Sequence, residues 1–76
     1  MQIEIQKLLQ ELIENQRGKL LKCGRSFVPN VTAEDIMQPN DFDELEHNHL
    51  FRYEEGILDG MQVMQAALQA LIKEKN

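Results

Sequence analysis

The chain is poor in the residues that would point to a chemistry: one cysteine, two prolines, four glycines and four aromatic residues in 76 positions. With Cys23 alone, an internal disulfide is excluded, and a single thiol fits a reducing compartment such as the cytoplasm. Long apolar runs are also missing. The N-terminal residues Ile3, Ile5, Leu8, Leu9, Leu12 and Ile13 are interrupted by Glu4, Lys7 and Glu11, a pattern that predicts no secretory signal. Nothing approaches the roughly 20 consecutive apolar residues of a membrane span. Gly56 and Gly60 fall in a helical pattern rather than after a strand, so they form no phosphate loop. Cys23 is far in sequence from both histidines and Ser26 lies in a connector, so no nucleophile and base are paired and no catalytic residue is assigned.

Shortness has its own consequence. A chain of this size buries a smaller share of its surface than an average domain and commonly needs a disulfide, a metal or a partner subunit. With the disulfide excluded, metal and association remain.

Basic charge is scarce where acid is dense. Positions 1–29 carry Glu4, Glu11 and Glu14 against Lys7, Arg17, Lys19, Lys22 and Arg25, a balance of +2. Positions 30–59 set nine acids against Arg52 alone, −8, and the remainder, with Lys73, Glu74 and Lys75, is +1. An acidic centre repels phosphate backbones, so nucleic acid is not expected as a ligand. A basic protein surface suits it better.

What the sequence does have is helical periodicity. Ile5, Leu9, Leu12, Ile13 and Leu20 recur at helical intervals among good helix formers, which predicts a helix over about residues 2–23. Gly24 is placed as its left-handed cap, and Gln16 as a polar group in its seam. Pro29 disfavours helix at Val28, so an extended connector follows. Thr32 and Asp35 resemble a capping box, predicting a short helix within about residues 32–38. Asp41 and Asp43, each three residues before a glutamate, mark a further helical start. A short acidic turn over 43–46, a break, and a long helix over about residues 49–74 are expected.

In that last helix Leu50, Tyr53, Ile57, Met61, Met64, Leu68 and Leu71 form a stripe at three- and four-residue steps. It is expected to close on the first helix as an antiparallel hairpin. A second row through Phe51, Leu58 and Ile72 is left uncovered, and the simplest remedy is a dimer forming a four-helix bundle. Gly56 and Gly60, four apart, offer a flat patch for a close backbone approach. With Met61, Met64, Leu68 and Ile72 they make the expected oligomer seam.

Two clusters at the loop end complete the inventory. Phe42, Phe51, Tyr53 and Leu58, edged by Glu54 and Glu55, form the expected partner-binding patch, an apolar anchor with an acidic rim. The alternative attaches to Glu44-x-x-His47 and Glu46-x-x-His49, whose spacing resembles the Glu-x-x-His unit of metal-carrying bundles. Glu54, Glu55 or a second protomer would supply the remaining ligands. Solvated acidic-loop residues are the simpler reading of those positions. The expectation is therefore a single all-α domain at positions 1–76, a helical hairpin that dimerises and serves as a non-enzymatic protein-interaction module in the cytoplasm. It has no assigned cofactor, metal ligand, nucleic-acid ligand or membrane partner.

Overall fold

The computed structural model describes residues 2–75. Two long helices, α1 (Gln2–Phe27) and α4 (His49–Lys75), run antiparallel and are joined by a connector holding α2 (Ala33–Ile36), a 3₁₀ turn (Pro39–Asp41) and α3 (Asp43–Glu46). No strand is present among the described residues. The molecule measures 45 × 19 × 17 Å, as two side-by-side helices of 26 and 27 residues require at about 1.5 Å per residue. No described helix is long and apolar enough to cross a membrane.

Local chemistry explains most of the boundaries. At α2 the capping box forms in both directions, Asp35 N donating to Thr32 Oγ1 at 3.2 Å and Thr32 N to Asp35 Oδ2 at 3.1 Å. Asn48 caps the start of α4, its side-chain oxygen accepting from Phe51 N at 3.0 Å, which satisfies one of the exposed donors of the first turn. Arg52 then fastens three elements: Nε donates to Glu46 O at 2.9 Å, Nη2 to Asn40 Oδ1 at 2.6 Å, and Nη1 to Glu55 at 2.7 Å.

Gly24 departs from the expectation. It is not a left-handed cap, since no described glycine has positive φ, and α1 continues through it to Phe27. Its role is spatial: a Cβ there would lie 2.6 Å from Ile36 Cδ1, 3.4 Å from Phe51 Cε1 and 3.5 Å from Val31 Cγ1. A side chain here would require Ile36 Cδ1 to shift away from the helix. α1 ends beyond it, where Val28 N still reaches Gly24 O at 2.8 Å and Pro29 follows.

The core consists of Leu9, Ile13 and Leu20 from α1, Val31, Ile36 and Leu45 from the connector, and Phe51 and Leu58 from α4. Most of it lies at the loop end, around the fully buried Phe51. The two α4 rows differ from the expectation: Phe51, Leu58 and Ile72 of the second row turn inward together with Met61 and Leu68 of the first, and the rest of the first row, apart from the half-buried Ile57, faces out. Phe51 and Leu58 are buried and Met61, Leu68 and Ile72 are half-buried, whereas Leu50, Tyr53, Met64 and Leu71 are 66%, 67%, 64% and 51% exposed. The physical reason is that polar groups interrupt the true seam. Glu54 lies on it and accepts from Gln16 Nε2 at 2.6 Å through its carboxylate and 3.0 Å through its backbone carbonyl. About three turns onward, Gln65 Nε2 donates to Gln10 Oε1 at 2.9 Å. Paired in this way, Glu54 takes a part-buried place and Gln65 a half-exposed one on the row that faces α1, and Leu50, Tyr53, Met64 and Leu71 are left facing out.

Candidate interaction face

The outward stripe of α4 does not stand alone. Leu12, Asn15, Lys19 and Lys22 of α1 line the same shallow cleft as Met61 of α4, about 450 Å³ in volume. Helical neighbours of Leu12 at i−4 and i−7, Leu8 and Ile5, therefore share a side of the hairpin with the neighbours of Met61, namely Ile57, Met64 and Leu68. Ile5, Leu8 and Leu12 are 45%, 57% and 43% exposed. One face of the hairpin is thus apolar along α4 and over the first half of α1, where soluble monomers carry scattered apolar residues rather than a continuous strip, and it turns basic at Lys19 and Lys22.

Charge distribution sharpens the contrast. From Gly60 to Ile72 no residue is charged, although Val63 and Met64 there are more than 60% exposed. The opposite side carries a groove of about 440 Å³ between α1, α2 and α4, floored by Leu20, Leu21, Ile36 and Leu58 and edged by Arg17, Met37 and Asp59. Sequence periodicity pointed to neither this groove nor Met37, which is 82% exposed; a four-residue helix is too short for its faces to be read from spacing.

The predicted partner patch is divided by the fold. Phe51 and Leu58 belong to the hairpin's own core and present no anchor to a partner. Phe42 is half-buried against that core. Tyr53 stands on the outward face, Glu54 turns inward to Gln16 and Glu55 pairs with Arg52. Within the predicted oligomer seam, Gly56 and Gly60 are exposed and a Cβ on either would meet nothing within 4 Å. Neither glycine, then, packs on α1 or the connector. Met64 is exposed beside them, while Met61, Leu68 and Ile72 are half-buried along the hairpin seam.

No group of three His, Cys, Asp or Glu side chains is placed to hold a metal among the described residues. His47 faces solvent with Glu46 at 3.8 Å, and Glu54 and Glu55, the carboxylates a shared site would draw on, have the partners just named. Cys23 is half-buried; burial first, and the Glu54 carboxylate second, push its thiol up from the ordinary value. A thiol held protonated is a weak nucleophile.

The chain matches no protein-family model, and no curated protein or solved structure is significantly similar to it.

Proposed function

We propose that this chain is a non-enzymatic interaction module, a small adaptor, co-chaperone or regulatory subunit, that self-associates through the outward faces of α1 and α4. One observation carries the proposal: Ile5, Leu8 and Leu12 of α1 and Leu50, Tyr53, Met64 and Leu71 of α4 are all exposed, along a hairpin whose internal seam is already filled. Leaving that face in water forgoes about 25 cal/mol for each Å² of apolar surface, a large sum for a domain with a core of only eight buried apolar residues. Dimerisation into a four-helix bundle recovers it.

The acidic middle segment is then left outside the helix faces. Asp41, Asp43 and Glu44 are exposed around the connector, and they favour a second protein with a basic surface. Cytoplasmic residence fits the lone protonated thiol. Sedimentation equilibrium tests self-association directly. A dimer or larger species at micromolar concentration is expected, and a well-folded monomer throughout that range refutes it.

A further inference from the structure

We infer that two hairpins stack face to face as an antiparallel two-fold pair, α4 on α4 and α1 on α1, with the axis passing beside Gly60 and close to Leu12 and Asn15; this rests on the self-association proposed above and specifies its geometry. The first support is the pattern of α4. Leu50 and Leu71, Tyr53 and Ala67, and Ile57 and Met64 lie on either side of Gly60 at 10 and 11, 7 and 7, and 3 and 4 residues, matched to within one position. Laid against a reversed copy of itself, the row sets Leu50 opposite Leu71, Ile57 opposite Met64, the large Tyr53 opposite the small Ala67, and Gly60 opposite itself. A two-fold interface needs this self-complementarity, and large side chains facing small ones interdigitate. At Gly60, open to at least 4 Å beyond a Cβ position, the two backbones make their closest approach.

The second support is charge on α1, and it is independent of the first. On the same face the seven-residue rows run from Ile5 through Leu12 to Lys19, from Leu8 through Asn15 to Lys22, and from Glu4 through Glu11 to Gly18 and Arg25. Each passes from apolar or acidic to basic. An antiparallel copy centred near residues 13–15 brings Glu4 against Lys22 and Glu11 against Lys19, twice over by symmetry. A parallel copy would set Glu4 and Glu11 against themselves. The two centres coincide in space, since Leu12 and Met61, the neighbour of Gly60, line one cleft.

Charge reversal and cross-linking test the geometry. Glu4→Lys with Glu11→Lys, and separately Lys19→Glu with Lys22→Glu, are each expected to raise the dimer dissociation constant at least about tenfold, because attraction becomes repulsion at four places. Mixing the two variants restores association, as each then meets its complement. In a Cys23→Ser background, Gly60→Cys forms a disulfide-linked dimer under mild oxidant, whereas Asp59→Cys, beside the opposite groove, does not. A wild-type chain that stays monomeric overturns the self-association and this geometry with it. A wild-type dimer that ignores both reversals and fails to cross-link through position 60 overturns the geometry alone.

Discussion

Two adjacent residues, Leu50 and Phe51, separate the inner and outer rows of α4. Phe51 is fully enclosed and Leu50 is 66% exposed. Phe51→Ala removes a ring at the meeting point of Val31, Ile36 and Gly24, where the close approach of helix and connector leaves little room to collapse, so a cost of about 3–5 kcal/mol is expected. A domain of this length has roughly 4–11 kcal/mol in total; the substitution takes away about half and lowers Tm by roughly 15–30 °C. Leu50→Ala loses little packing within one chain and gains helix propensity, so its effect is expected within about 0.5 kcal/mol. Urea titrations followed by circular dichroism, at protein concentrations about a hundredfold apart, read both quantities, because association stabilises by mass action. At the dilute end Phe51→Ala is severe and Leu50→Ala nearly neutral. At the concentrated end Leu50→Ala falls behind the wild type by the association it has lost. Equal costs for the two substitutions in dilute protein would show that the seam does not run through Phe51 and Leu58.

Other expectations follow from single contacts. Gln16→Ala strips the carboxylate of Glu54 of its 2.6 Å donor and should cost about 1–2 kcal/mol, with a coupling energy to Glu54→Ala of about 1 kcal/mol in a double-mutant cycle; zero coupling would dismiss the pair. Gly18→Ala, with open space around it, gains about 1 kcal/mol of helix propensity. Gly24→Ala sets that same gain against about 1–3 kcal/mol of overpacking, so thermal melts should rank it clearly below Gly18→Ala. Asn48→Ala removes the cap of α4 for about 1 kcal/mol, visible as a lower urea midpoint with unchanged slope. The Cys23 thiol is raised in the folded chain, so the unfolded chain gives up its proton first. The stabilisation is complete below the unfolded thiol pKa and is lost as pH rises through the thiol range. Cys23→Ser should flatten that alkaline decline, and a thiol reagent should label native protein more slowly than unfolded protein.

Much of the hairpin is legible in the sequence because its signals are local. The capping box at Thr32, the break after Glu46 and the two long periodic segments all follow from neighbouring residues. The pairing of faces is not local. Glu54 and Gln65 make the inner row of α4 look solvated, and only Gln16 and Gln10, 38 and 55 positions away, make them interior. Gly24 misled for a related reason: near the end of a periodic segment a glycine suggests a cap, and the side chains that crowd it come from Val31, Ile36 and Phe51. Of the candidate site, the surplus of apolar surface was readable from periodicity, as was the inward turn of Met61 and Leu68, whereas Leu50 and Leu71, expected inside, face out and Phe51 and Leu58, expected outside, fill the core.

The concentration of the core around Phe51 gives the hairpin a gradient of rigidity along its length. Near the connector, amides of both long helices are shielded by buried side chains and by the Arg52 contacts, and they open only with the whole molecule. Toward the other end Leu9 and the half-buried Leu68 are the main apolar closure, and a cleft of about 330 Å³ lies between Ile3, Gln6, Gln65 and Leu68. Hydrogen exchange there proceeds through local fraying at low free-energy cost. Under the proposed self-association, a second copy covering the outward face in that half would close the hairpin as well as join it. Contacts made far from Phe51 would in this way be coupled to helix order, and the proposed dimer would exchange subunits as readily as that half opens.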